Sequence, residues 1–155
     1  MNRIVFDAPV GPLGLEEEGG ALRRLYLPNQ PAEPAGEETP VLVRGRAELL
    51  EYFRGERRAF TVPLEPRGTP FQRRVWDALA AVPYGETVTY GALARQIGSP
   101  GAVRAVGQAN HRNPLPIFLP CHRVVGADGS LTGYAGGLDM KRFLLELEGA
   151  AYGKK

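Results

Sequence analysis

Thr89-Tyr90-Gly91-Ala92-Leu93-Ala94-Arg95-Gln96-Ile97-Gly98-Ser99-Pro100 is the stretch on which the fold of this chain turns. A threonine ahead of helix-forming residues is an N-cap, and Gly98 offers the left-handed residue that closes a helix. The stretch therefore reads as a short helix over Tyr90 to Ile97. Ser99-Pro100 starts a second helix that runs to about Asn110. Two short helices hinged at Gly98-Ser99 match a helix-turn-helix, a geometry shared by αα corners that never touch nucleic acid. On the second helix Val103 and Val106 are expected to point inward, leaving Gly101, Arg104, Ala105 and Gln108 on the outer face. A solvated helix face normally carries Glu and Lys. This one is small, with one arginine projecting from it, so it suits either close approach to a narrow groove or packing against a protein neighbour.

Upstream, Thr69-Pro70-Phe71-Gln72 supplies an N-cap, a proline at the first helical position and a capping-box glutamine. Phe71, Val75, Ala78, Leu79 and Val82 form the apolar stripe of that helix, with Trp76 at its edge and Pro83 as the stop. Arg67-Gly68 marks the boundary between a front part, residues 1–66, and a mostly helical part, residues 67–155. In the front part, Ile4-Val5-Phe6, the segment after Gly11 and Leu22 to Leu27 read as short strands, with Gly19-Gly20 as a hairpin turn. Pro28 to Pro40 carries four prolines and reads as an exposed loop. Val43, Ala47, Leu50 and Phe53 recur at helical spacing, so a helix ends near Gly55. The expected class is α/β (α+β).

Apolar residues make up 43% and charged residues 23%, an ordinary globular balance. No segment has the length of a membrane span, and no basic-then-apolar leader opens the chain. A single cysteine forms no internal disulfide, which favours a reducing, cytoplasmic setting. With one Cys and two His, a structural zinc site is not expected. Charge is unevenly placed. Residues 1–66 hold 8 Arg and Lys against 11 Asp and Glu, whereas residues 67–155 hold 11 against 6. The basic half suits a polyanionic partner, although a net charge of this size also describes a solvated surface.

The lone thiol stands in Pro120-Cys121-His122-Arg123-Val124, directly after the apolar run Ile117-Phe118-Leu119. An inert buried cysteine is the plain alternative. Against it, His122 and Arg123 are costly to bury without partners, and both favour thiolate over thiol. Asp128-Gly129 is a turn signal between Val124-Val125 and Leu131. Met140, Phe143, Leu144 and Leu147 form a last amphipathic helix closed by Gly149. Glu148 falls in its final turn, where the helix dipole disfavours an anion, so it needs solvent or a cation such as His122.

Taken together, Pro120-Cys121-His122-Arg123-Val124, Pro83-Tyr84-Gly85-Glu86-Thr87-Val88-Thr89-Tyr90, Arg104-Ala105-Val106-Gly107, Asn113-Pro114-Leu115-Pro116 and Tyr134-Ala135-Gly136-Gly137-Leu138 resemble, in order and spacing, the O6-alkylguanine-DNA alkyltransferases. The resemblance spans about Phe71 to Gly149 and extends weakly to Pro9-Val10-Gly11-Pro12-Leu13-Gly14. It implies a small ribonuclease H-like N-terminal α/β domain and a winged-helix-like C-terminal domain. It also implies double-stranded DNA bound through the minor groove, a flipped O6-alkylguanine and irreversible transfer of the alkyl group to Cys121, with no cofactor and a monomeric protein. Under it His122 is the base, Glu148 its carboxylate, Asn113 the holder of the turn and Tyr90 a donor to the leaving guanine. Arg104 is the finger that fills the base stack, beside Gly101, Ala105, Gln108 and Arg123 as DNA contacts. Tyr134, Ala135, Gly136 and Val124 line the base pocket. Ala135 stands where some relatives carry serine, and the zinc ligands of other relatives are missing.

Overall fold

The protein is described by a computed structural model over residues 1–153. It divides into two compact units, with the division between Arg67 and Gly68. In the first unit β1 (Asn2–Ala8), β2 (Gly11–Glu18) and β3 (Ala21–Tyr26) form an antiparallel meander. Gly19 and Gly20 take φ of 64° and 85° between β2 and β3. Two successive left-handed residues are what the tightest hairpins require. The 28–39 segment is mostly exposed and is pinned to β1 by reciprocal Arg3–Ala35 backbone bonds of 2.7 and 3.0 Å.

The helix α1 (Pro40–Phe53) lies on a different face from the one its valines suggest. Leu42, Gly45, Glu48, Leu49, Tyr52 and Phe53 are buried, while Val43 and Ala47 are exposed. Gly45 sets this rotation: a Cβ there would stand 2.7 Å from Leu15 Cδ2 and 2.9 Å from Leu22 Cδ1. The glycine row is thus the one that fits against these leucines. Glu48 is buried because its carboxylate accepts from Thr61 N (3.0 Å), Thr61 Oγ1 (2.8 Å) and Val62 N (3.2 Å).

In the second unit α2 (Pro70–Ala80) opens with a complete capping box. Gln72 N donates to Thr69 Oγ1 at 3.1 Å and Thr69 N to Gln72 Oε1 at 2.9 Å. Trp76, expected at the edge of the stripe, is in the core, and its indole N–H donates to Ala109 O at 2.9 Å. An indole that finds a carbonyl for its one donor can be buried whole. Then come α3 (Tyr90–Gln96), capped by Thr89, and α4 (Val103–His111), with Gly98 at φ 77° between them. The second helix starts at Val103 and not at Ser99-Pro100, because residues 99–102 make a separate turn closed by Ala102 N→Ser99 O. Val103 is exposed, contrary to expectation; as the first helical residue it rims a surface groove two turns from buried Asn110.

Two short strands, β4 (Val88–Thr89) and β5 (Val124–Val125), pair in parallel. The Asp128-Gly129 turn forms, with Gly129 N bonded to Gly126 O, but Val124-Val125 pairs with β4 instead of folding back on Leu131. The last helix, α5 (Leu138–Leu147), buries Lys141, Leu144 and Leu145, while Phe143 is exposed. Lysine takes the place on the buried face that the apolar pattern gives to phenylalanine, because carbonyls are there to receive it.

Burial pushes the Glu48 carboxyl up, but the bonds from Thr61 and Val62 and the nearby Arg57 outweigh it and leave it below its ordinary value. A depressed carboxyl contributes stability above its unfolded pKa and loses it as pH falls. Glu48→Gln is therefore expected to lower stability at pH 7 and to flatten the loss of stability on acidification below about pH 5, read by urea denaturation at stepped pH.

Candidate active site

The cysteine is delivered by a buried loop whose path is set by hydrogen bonds more than by regular structure. Asn113 clamps it from both sides: its Nδ2 donates to Leu119 O at 2.8 Å, and its Oδ1 accepts from Leu115 N at 2.9 Å. Leu119 N closes on Leu115 O at 2.9 Å. Within that ring Ile117 takes φ 75°. A β-branched residue there is a true outlier, costing on the order of 1–3 kcal/mol. The loop around it, buried from Leu115 to Val125, holds it there. Pro120 then leads into a single 3₁₀ turn, Cys121–Arg123.

His122 and Arg123, the two groups that are costly to bury, are both buried and both paired with one carboxylate. His122 Nε2 lies 2.7 Å from Glu148 Oε2. Arg123 grips the same carboxylate with Nε on Oε1 at 2.9 Å and Nη2 on Oε2 at 3.0 Å, and gives Nη1 to Val82 O at 2.6 Å. Gly85 N adds a fourth donor, at 3.2 Å. Arg123, expected among the DNA contacts, is buried. Its fork is used up inside the protein, matching a bidentate carboxylate as few other side chains could. Glu148 caps the C-terminal end of α5, the wrong end for an anion, and these donors are what hold it.

Burial lowers the His122 pKa against the pull of Glu148, so the imidazole is neutral at neutral pH. Because Nε2–H faces the carboxylate, Nδ1 is the free lone pair, and it has no hydrogen-bond partner among the described residues. The thiol departs from expectation. Burial pushes Cys121 up to about 11, against opposing help from the Asn113 amide and the Lys141 ammonium. The resting group is a thiol, because desolvation of the sulfur outweighs its polar neighbours.

Lys141 was hidden from a reading of apolar periodicity. It is fully buried on α5 and donates to Val124 O at 2.5 Å and to Thr132 O at 2.9 Å. Burial lowers it to about 8, with Cys121 acting in the other direction. Its only sequence signal is a lysine one turn before Leu144-Leu145.

Tyr90 shares a hydrogen bond of 2.9 Å with Thr132 Oγ1. It also lines a groove of about 520 Å³ with Val103, Arg104, Gly107, Gln108, His111 and Arg112. Gly101, Arg104, Ala105 and Gln108 are exposed, as the small-residue face requires. His111 and Arg112 join them at the helix end and were not singled out by the sequence. Tyr134 is buried, with a hydroxyl that lacks a partner among the described residues and a pKa driven well above its usual value by burial. Ala135 and Gly136 beside it are half-buried, and Val124 is fully buried. Among the described residues no three His, Cys, Asp or Glu side chains are grouped to hold a metal ion, and no helix is long and apolar enough to cross a membrane.

A thiol held near 11 when folded and near its ordinary value when unfolded leaves the native state holding the extra proton at alkaline pH. Reaction of Cys121 with a small haloacetamide should keep rising well beyond pH 9 in the native protein. In urea the same titration should level near the free-thiol value of about 8.5.

A family model described as the 6-O-methylguanine DNA methyltransferase DNA binding domain matches residues 70–150. The constitutive methylated-DNA–protein-cysteine methyltransferase of Bacillus subtilis is 47% identical, the match covering 96% of each chain. The enzyme of that name from Mycobacterium bovis is 52% identical over 92% of this chain and 88% of its own. A crystal structure of Mycobacterium tuberculosis OGT in complex with DNA superposes with a TM-score of 0.85 at 50% identity, covering 94% of this chain and 92% of that one. Likeness at this level over nearly the whole length, together with a single thiol set among an imidazole, a carboxylate and an amide clamp, means that this chain belongs to the family of methylated-DNA–protein-cysteine methyltransferases.

Proposed function

We propose that the protein repairs DNA by moving the alkyl group of an O6-alkylguanine onto its own Cys121, once per chain. The observation that carries this reading is the thiol's seat between the Asn113 clamp and the buried His122–Glu148 pair, in a protein of this family. Residues 67–155 carry both the chemistry and the DNA contacts; residues 1–66 form a separate supporting domain. The protein works as a monomer in the cytoplasm, on the minor groove of duplex DNA.

In the transfer His122 Nδ1 takes the thiol proton, through a water, as sulfur attacks the saturated carbon. Glu148 holds the ring by Nε2–H and stabilises the imidazolium that forms. The new S–C bond takes the sulfur pair, and the pair of the breaking C–O6 bond goes to the purine. Tyr90 gives a hydrogen bond or proton to that leaving guanine. Lys141 sits where an ammonium favours the thiolate as it develops. The thiol is thus quiet at rest and is activated only when the proton has somewhere to go. Tyr134, Ala135, Gly136 and Val124 bound the base, with backbone N–H groups at 135–136 serving where some relatives offer a serine. On α4 the small residues admit the groove wall, and Arg104 enters the stack in place of the flipped base.

Mixing with a duplex containing O6-methylguanine should add one methyl group per chain, found by intact mass and mapped to Cys121. Cys121→Ala should retain duplex affinity and gain no mass. Sustained turnover, or a label elsewhere, would exclude the single-use mechanism.

Arg104→Ala separates DNA handling from chemistry. Flipping a base from a duplex costs a few kcal/mol, which a side chain filling the gap offsets in part. The variant should lose at least about tenfold in transfer rate from duplex DNA, a loss of about 1.4 kcal/mol. On the free base O6-benzylguanine, which needs no flipping, it should stay near wild type. Equal losses on both substrates would place Arg104 in the fold or the pocket instead.

A further inference from the structure

Asn110 lies in the last turn of α4, facing inward and not toward the groove, with only 4% of its surface exposed. Its Nδ2 is 3.5 Å from the carbonyl oxygen of Cys121. The contact is long, but a carbonyl only accepts, so the NH₂ end of the amide is the one that faces it. The other end, Oδ1, is buried and has no partner among the described residues. Leaving a buried amide oxygen unpaired is costly, and native structures avoid it. The adjoining residue along the chain, His122, presents a second buried acceptor in the same condition, Nδ1. Two buried acceptors without donors thus belong to residues that adjoin the nucleophile, one through the contact with its backbone carbonyl and one along the chain, and the nucleophile carries a proton to give.

The needs of the three groups sum to a single molecule. Water has two hydrogens for the two acceptors and a lone pair for the S–H, giving it three of the two to four polar partners a buried water normally finds. We infer that Asn110 is a positioning residue of the alkyl transfer, whose Oδ1 holds a buried water between Cys121 Sγ and His122 Nδ1. The inference rests on the His122–Glu148 relay proposed above and adds a fixed point to it. With one hydrogen tied to Oδ1, the water's other hydrogen is aimed at Nδ1 and its lone pair at the thiol. Transfer then moves two protons and leaves the water intact: the thiol proton goes to the water oxygen as the water's own proton goes to Nδ1. The products are a thiolate and an imidazolium. The same amide ties α4, the helix that faces the groove, to the backbone of the nucleophile, so the relay is built in part by the helix expected to meet DNA.

The test is single-turnover transfer from the free base O6-benzylguanine by Asn110→Leu, His122→Ala and the double variant, across pH. Asn110→Ala replaces Asn110→Leu if the larger side chain lowers the melting temperature. His122→Ala should slow transfer by roughly 100-fold, the low end of the range for a positioned proton acceptor, and Asn110→Leu by about tenfold or more. If both act through one water, the losses do not multiply, and the double variant should be no slower than His122→Ala alone. The pH–rate profile of Asn110→Leu should move toward alkaline pH, as solvent base takes over from the relay, while duplex affinity stays within about twofold. A crystal structure of the unreacted protein should hold a water within about 3.2 Å of both Oδ1 and Nδ1. A wild-type rate in His122→Ala would overturn the relay and this inference with it. A slow His122→Ala beside a wild-type Asn110→Leu, or losses that multiply with an unmoved pH profile, would leave the relay standing and overturn the role of Asn110.

Discussion

One carboxylate organises the second unit. Glu148 takes hydrogen bonds from His122, from the fork of Arg123 and from the backbone of Gly85, at 2.7 to 3.2 Å. Placed at the C-terminal end of α5 it gains nothing from the helix dipole, so these donors carry the cost of burying it. The consequence is geometric. Three segments far apart in the chain, the loop before β4, the 3₁₀ turn of the cysteine and the end of the last helix, converge on two oxygen atoms. A group tied at that many points cannot drift, and neither can the imidazole it holds. Removing Arg123 would leave the carboxylate charge uncompensated, which is costlier than the bonds themselves.

Reactivity follows from the balance around the sulfur. Proximity to cationic groups suggests a preformed thiolate, yet burial holds the thiol up to about 11. A single-use nucleophile gains from this. Under the proposed relay, a standing thiolate would be spent on any small electrophile, whereas a thiol beside a neutral imidazole would react only where the substrate makes proton transfer worthwhile. The polar neighbours that lower the thiol, Asn113 and Lys141, are themselves tied down by carbonyls, so they are set before any substrate arrives. Ile117 in its left-handed conformation is the strain that accompanies this loop, and it is found where functional sites commonly store it.

Positions with strong local chemistry were legible in the sequence. The cap at Thr69, the cap at Thr89, the glycines at 19–20 and 98 and the helix end near Gly55 depend on residues a few places apart, and each has the geometry its letters imply. Local pattern is not enough where a distant partner decides. Val43 and Ala47 recur at the helical spacing of α1 yet are exposed, because the glycine row at Gly45 is the one that fits against Leu15 and Leu22. Phe143 belongs to the apolar spacing of α5 yet is exposed, while Lys141 is buried, because the carbonyls that receive it, Val124 and Thr132, come from elsewhere in the chain.

The sequence by itself determined which chemistry was available: one thiol, an imidazole next to it, a carboxylate 26 positions later and a small-faced helix bearing one arginine. It could also supply the pairing of His122 with Glu148, because a carboxylate at a helix C-terminus calls for a cation. Only the tertiary structure decided how Arg123 is used, how Lys141 is buried, what holds Asn110 and in which state the thiol rests. Each of these depends on desolvation and on carbonyl groups brought close by folding. Neither quantity has a local signature, since burial is a property of everything packed around a residue and not of its neighbours in the chain.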